Sequence, residues 1–197
     1  MADFDLLANE YDTDKRIKRS KEFADEIRMY ITDGHKKSAL EYGCGTGLVG
    51  FNLIYDFDSV IFVDSSVNMI EQVSKKLLSL GKTSCYARCC DFLTEIPRDI
   101  SVDYVILSLV LHHIEDTKTI LTRFYGILNS GGHLLIIDKN GGGKYYANNP
   151  DIDGYDGFDQ SFLSELIREI GFFIVESKTF WHSSENENGI FILDAQK

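Results

Sequence analysis

The sequence predicts an α/β fold: a seven-stranded, mostly parallel sheet with helices on both faces and an antiparallel hairpin at the C-terminal end. Three observations carry this. Strand-length apolar runs alternate with amphipathic helical stretches from residue 12 to residue 170, the pattern of parallel strands joined by helical crossovers. A turn with glycines at 43, 45 and 47 links the first of these runs to a helix. The last two apolar runs, 172–180 and 189–194, are separated by a stretch too short for a crossover, so they must pair antiparallel.

Each element has a local reason. A first helix over 12–31 places Ile17, Phe23, Ile27 and Ile31 on one stripe. Strands are expected at 39–42 and 59–63. Ser65 or Ser66 then caps a helix that reaches residue 80 and ends at Gly81. Further strands fall at 84–90 and 104–108. Asp116 caps a helix ending near residue 128, a strand follows over 133–137, and Asp159 opens a helix stopped by Gly171. No linker divides the chain, so residues 1–197 read as one domain, with 1–35 as an N-terminal helical cap.

The largest interruption is 139–157. It contains Gly141, Gly142 and Gly143 with Tyr145, Tyr146, Asn148, Asn149, Pro150 and Tyr155, and it leaves a strand at its carboxyl end. Ligands of open α/β sheets bind beyond that edge, and a loop this long is expected to be a lid, moved on its triple glycine.

Composition excludes several functions. The chain has 197 residues and a net charge of −11, whereas a nucleic-acid enzyme usually shows a basic stripe. The basic cluster Lys15, Arg16, Lys18, Arg19 and Lys21 reads as a solvated helix face, with steering of an anionic substrate as the sharper alternative. No apolar run approaches the ~18 residues a membrane span requires, and the acidic N-terminus lacks signal-peptide character. A cytoplasmic protein acting on a small molecule, with no nucleic acid or membrane partner, is expected. Cys44, Cys85, Cys89 and Cys90 match no zinc spacing, so they read as reduced structural thiols and no metal is expected.

Function rests on residues 39–50, Ala-Leu-Glu-Tyr-Gly-Cys-Gly-Thr-Gly-Leu-Val-Gly. Bare glycine backbone followed by a helix N-terminus suits a nucleotide-type ligand. Gly45, Gly47 and Gly50 also satisfy a dinucleotide fingerprint, with Asp64 at about the spacing that takes ribose hydroxyls. Against that reading stands Glu41, two residues before Gly43: its carboxylate would repel a pyrophosphate and favour a cationic ligand end.

In these residues the chain resembles the class I S-adenosylmethionine-dependent methyltransferases, over nearly its whole length. Glu41–Gly47 matches the first motif, Ile61-Phe-Val-Asp64-Ser-Ser the acidic end of the second strand, and Cys90-Asp91-Phe92 the third-strand motif. Residues 102–108 with Leu-Val-Leu-His112-His113-Ile resemble the fourth, and Leu128-Asn-Ser-Gly131-Gly132 the turn into strand five, with Ser130 in place of proline. Asn9-Glu-Tyr11-Asp12, Gly157-Phe158-Asp159 and Gly189-Ile-Phe-Ile-Leu resemble small stand-alone bacterial members.

The resemblance implies a Rossmann-like fold and S-adenosylmethionine as cofactor. Its donor site would be made of Glu41, Gly43, Cys44, Gly45, Gly47, Asp64, Ser65, Met69, Asp91, Phe92 and Ser108. Glu41 and the glycines would hold the amino-acid end, Asp64 the ribose, and Asp91 with Phe92 the adenine. Met69 reads equally as core.

Catalytic candidates are His112, His113 and Tyr11. A histidine can accept a proton near neutral pH, and Tyr11 would fold over the cofactor. Either histidine taken alone reads more readily as a helix cap or packing residue; the pair at the end of strand four makes one of them a site candidate. Tyr155 and His182 are weaker candidates, and His182 lies with Trp181 in the terminal hairpin. The expected reaction is in-line methyl transfer to a small molecule. The alternatives are a donor-binding module without catalysis and an NAD-dependent oxidoreductase.

Overall fold

The computed structural model describes residues 4–95, 98–146, 154–183 and 186–197. Seven of its strands form one mixed sheet, mostly parallel with an antiparallel C-terminal hairpin, and a separate two-stranded ribbon accompanies it. The chain divides into two compact units, Asp3–Asp91 and Phe92–Lys197.

In the first unit β1 (Ser38–Tyr42), β2 (Ser59–Asp64) and β3 (Tyr86–Cys89) run parallel in the order β3-β2-β1. Val60, Phe62 and Val63 of β2 are almost fully buried, as expected of a parallel strand covered on both faces. Four helices accompany them: α1 (Phe4–Leu7), α2 (Asp14–Arg28), α3 (Leu48–Leu53) and α4 (Val67–Leu80). Ser66 caps α4 by accepting from the Met69 amide at 3.1 Å, and Gly81 ends it at φ 66°. Helix α2 starts later than its pattern predicts because Thr13 is its cap. Its buried stripe is Ser20, Phe23, Ala24 and Ile27, while Ile17 is 44% exposed. Phe23 and Ile27 face the core as the spacing predicts, Ile17 does not, and Ile31 lies past the helix end.

In the second unit β4 (Val102–Ser108) pairs parallel with β5 (Leu128–Lys139). Strand β9 (Asn186–Gln196) joins β5 antiparallel, and β8 (Phe173–Ser183) closes the order β4-β5-β9-β8. Helix α5 (Thr117–Ile127) packs on β5 and α6 (Gln160–Ile170) on β8. Asp116 and Asp159 cap these helices at the Thr119 and Phe162 amides.

Two strands are longer than the sequence suggests. The Gly131-Gly132 turn lies inside β5 as an irregularity, with Gly131 at φ 75°. A Cβ on Gly132 would meet Asp103 O at 2.8 Å, so glycine is there for close approach. The stretch read as a terminal turn is ladder up to the Ser183–Asn186 pairing, with three register shifts along β8. Backbone pairing continues there without the apolar alternation that marks a half-buried strand.

The expected lid is, in its described parts, a hairpin arm. Strand β6 (Tyr145–Tyr146) pairs antiparallel with β7 (Gly154–Tyr155), and the Gly141, Gly143 and Phe158 amides donate to Phe158 O, Gly157 O and Lys139 O. A Cβ on Gly141 would meet Asp156 O at 2.6 Å, so this glycine lets two chain segments close up rather than swing. Asn148, Asn149 and Pro150 lie outside the described residues.

Candidate functional site

The first unit assembles most of the expected donor residues around one turn. Gly43, Gly45 and Gly47 have φ of 64°, 53° and 81°, where any Cβ would be strained. The turn is fastened from β2: the Cys44 amide donates to Val63 O at 3.0 Å and the Gly45 amide to Asp64 Oδ2 at 2.7 Å. Asp64 Oδ1 accepts from the Ser66 amide at 2.9 Å. Burial pushes the Asp64 carboxyl above its ordinary value, against the pull of the Ser66, Gly45 and Ser65 amides. Its two oxygens face backbone donors on both sides.

Glu41 does not occupy the position expected of it. Its side chain is buried, 3% exposed, and Oε2 accepts from the Gly50 amide at 3.1 Å. A Cβ on Gly50 would lie 2.4 Å from that oxygen, so Glu41 fills the space beneath the turn instead of facing a ligand. Burial pushes its carboxyl up to about 8, which leaves it largely neutral at pH 7. The correction has a cost: a neutral acid repels no pyrophosphate, so the electrostatic argument against a dinucleotide loses its charge.

The other residues of this unit fall as follows. Asp91 follows β3, and its Oδ1 accepts from Tyr42 Oη at 3.2 Å. Met69 is 1% exposed, with its sulfur 4.0 Å from where a Gly45 Cβ would stand. Tyr11 Cε1 lies 3.6 Å from that same point. Ser65 is exposed. Cys44 is buried, donates Sγ to Gly45 O and has its thiol raised by burial, so it is structural. One cluster here has no local signature in the chain: Thr46 Oγ1 donates to Asp12, and Lys76 Nζ donates to Asp12 Oδ2 and to Thr46 O, both at 2.7 Å.

The second unit holds Phe92, Ser108 and the two histidines. Phe92 is fully buried, its ring tilted against Phe124 at 6.3 Å, so it offers no face to an adenine. Ser108 ends β4 half-buried. Leu109 follows at φ 56°, held by its amide on Ile137 O at 2.8 Å. A bulky residue there costs on the order of 1–3 kcal/mol, and such strain concentrates at functional positions.

The strained residue leads into the short helical turn Leu111–His113. His112 is buried, and its Nδ1 lies 2.7 Å from Asp138 Oδ1 while its amide donates to Asp138 Oδ2 at 3.1 Å. The Lys139 amide also donates to Asp138 Oδ1, at 2.8 Å. A carboxylate accepting three bonds fixes the hydrogen on Nδ1 and leaves Nε2 as the imidazole's acceptor. His113 is exposed, its ring 4.0 Å from that of His112.

The hairpin arm crosses this turn, since a Cβ on Gly154 would come 2.2 Å from His112 O. Tyr155 Oη donates to Glu115 O at 3.0 Å. Asp138 escaped the sequence reading, although a carboxylate closing the apolar run 134–137 is a signal that could have marked it. His182 packs against Gly189 within the β8–β9 hairpin, apart from this turn. Among the described residues no group of three or more His, Cys, Asp or Glu side chains could hold a metal.

Known proteins share sequence and fold with this chain. Residues 40–134 match the family model described as "Methyltransferase domain". Phosphoethanolamine N-methyltransferase 3 of Arabidopsis thaliana is 30% identical over 172 residues, covering 83% of this chain and 34% of that protein. The chain spans about a third to a half of the length of curated relatives that it matches. Among solved structures, the 4+2 cyclase SpnF superposes with a TM-score of 0.75 at 15% identity, over 90% of this chain and 81% of that one. The 1,6-didemethyltoxoflavin-N1-methyltransferase of Burkholderia thailandensis, solved with 1,6-didemethyltoxoflavin and S-adenosylhomocysteine bound, gives 0.70 at 20% identity over 92% and 77%. At these identities the structures establish the fold.

Proposed function

Because the chain belongs to the class I S-adenosylmethionine-dependent methyltransferases, we propose that it moves the methyl group of S-adenosylmethionine to a small molecule. The observation that carries this is the Gly43–Gly47 turn fastened to Asp64, which offers bare backbone for an amino-acid end beside a carboxylate suited to ribose hydroxyls. The residues present fit such a donor. Gly45 has no Cβ where Tyr11 and Met69 converge, and Asp91 stands beyond β3 for an adenine amino group.

The donor's sulfonium supplies a methyl group already activated for displacement. What remains for the chain is holding, orienting and moving a proton. Gly43, Gly45, Gly47 and Asp64 hold the donor, with Cys44, Ser65 and Met69 beside them; Glu41 acts from beneath, through Gly50. Fixing two reactants in register supplies roughly 7–11 kcal/mol in favourable cases. Tyr11 covers the turn. His112 takes the acceptor's proton on Nε2, with Asp138 holding the other nitrogen protonated, and His113 stands beside it as the exposed alternative.

A net charge of −11 supports a small acceptor over nucleic acid, and a cytoplasmic setting fits the same composition. The proteins named for methylating phosphoethanolamine and 1,6-didemethyltoxoflavin support the same reading. A second reading, donor binding without methyl transfer, is favoured by one observation: a cyclase carries the same fold.

Incubation with S-adenosylmethionine and a panel of small amines, phenols and phosphoethanolamine decides between them, read as S-adenosylhomocysteine formed. Acceptor-dependent product that falls at least about 100-fold in His112→Asn supports the proposal, since a positioned base contributes roughly 10²–10⁴. Donor binding with no product on any acceptor supports the second reading.

A further inference from the structure

The residues that cover the glycine turn include one cation whose donors are not all used. Tyr11 lies over Gly45, and the Arg16 guanidinium sits 4.3 Å from the centre of the Tyr11 ring. Nη1 of Arg16 donates to Tyr11 O at 3.2 Å. Thr13 accepts from the Arg16 amide, which sets the start of α2 and with it the direction of this side chain. Lys15, Lys18 and Lys21 on the same helix are exposed, whereas Arg16 is half-buried. Among the described residues no carboxylate pairs with it, although Asp12 stands four residues away and is engaged by Lys76 and Thr46.

An amino-acid end is a zwitterion. Its carboxylate needs a cation. Lys76 is already shared between Asp12 and Thr46 O. Stacking on an aromatic face uses none of a guanidinium's five N–H donors, and the planar fork matches a carboxylate in two-point geometry. We propose that Arg16, braced on the Tyr11 ring, binds the carboxylate of the donor's amino-acid end. This rests on the reading of the Gly43–Gly47 turn as the donor site. The basic cluster on α2 therefore splits, with Arg16 serving the site and the exposed lysines serving solvation.

The test is calorimetric titration of wild type, Arg16→Gln, Arg16→Lys and Lys18→Gln with two ligands. One is S-adenosylhomocysteine; the other is 5′-methylthioadenosine, which keeps the adenosine and sulfur but lacks the amino-acid end. Losing a charge-assisted pair is expected to weaken S-adenosylhomocysteine about 10- to 100-fold in Arg16→Gln, less in Arg16→Lys. Methylthioadenosine affinity stays unchanged in both, and Lys18→Gln keeps both affinities within about 2-fold. Unchanged S-adenosylhomocysteine affinity in Arg16→Gln overturns the proposal, as does equal weakening of both ligands, which would mark Arg16 as merely structural. A wild type that binds neither ligand would overturn the donor site itself, and the assignment of Arg16 with it.

Discussion

The two units use buried carboxylates in opposite ways. In the first, Glu41 and Asp64 accept from main-chain amides, at Gly50 for one and at Gly45 and Ser66 for the other. In the second, Asp138 and Asp194 each accept from an imidazole, His112 at 2.7 Å and His133 at 2.8 Å. An amide does not ionise near neutral pH, so the first arrangement fixes the shape of a turn. An imidazole has two states, so the second sets where a proton resides.

Within the second unit the two His–Asp pairs also differ. His133 Nε2 approaches Gln196 Nε2 at 3.4 Å and its ring stacks on Tyr104, so both edges and a face are engaged midway along β5. His112 sits beyond the carboxyl end of β4, where open α/β sheets bind ligands. The same pair chemistry is therefore enclosed midway along β5 and stands at the edge of the sheet at its carboxyl end.

The comparison is sharpest where the expected effect is largest. Asp138→Ala leaves a buried imidazole and two amides without their acceptor, a loss of about 3–5 kcal/mol. The melting temperature should fall by roughly 10 °C, against a smaller fall for Asp194→Ala, whose partner His133 is 17% exposed. Equal falls would erase the distinction between the pairs.

Next comes Gly50→Ala, whose Cβ would meet Glu41 Oε2 at 2.4 Å and Phe62 Cε1 at 2.5 Å. Overpacking there should cost about 1–3 kcal/mol by denaturant unfolding, and the double variant Gly50→Ala with Glu41→Ala should recover part of it.

Glu41 itself predicts a pH dependence. Its folded value is raised to about 8 from an ordinary 4.5, so the folded state holds a proton that the unfolded chain has released. Its stabilising contribution is complete below about 4.5 and is lost as pH rises through about 8. Glu41→Gln keeps an acceptor for Gly50 without the titration. Its stability relative to wild type should therefore climb between pH 4.5 and 8, by at most about 1.4 kcal/mol per pH unit. A flat difference across that range would mean that Glu41 is ionised in the folded state. The smallest effect belongs to Ser66→Ala, which removes the α4 cap and should cost about 1 kcal/mol by the same unfolding measurement.

Legibility in the sequence follows the same division. Glu41 and Gly50 are nine residues apart and Gly45 and Asp64 nineteen, with the bonds carried by glycine backbone. Such contacts leave a local pattern, and the glycine turn and the cap of α4 could be read from it. The partners of the second unit lie 26 and 61 residues apart. No local pattern announces them, so Asp138 went unseen and His112 could be placed only at a strand end.

Burial was the other blind spot. Glu41 and Phe92 sit in motif positions that suggest ligand contact, yet one carboxyl lies beneath the turn and the other side chain is core. Motif spacing reports where a residue falls along the chain, and side-chain direction then depends on what fills the space around it, here Gly50 and Phe124.

The central claim is that the Gly43–Gly47 turn and Asp64 form the donor site. Calorimetric titration of wild type and Asp64→Ala with S-adenosylmethionine, S-adenosylhomocysteine and NADH tests it most directly. The expected result is micromolar binding of both adenosyl ligands by wild type, weaker by about 100-fold or more in Asp64→Ala, and no heat with NADH. Adenosyl binding that survives Asp64→Ala unchanged, or a preference for NADH, would contradict it.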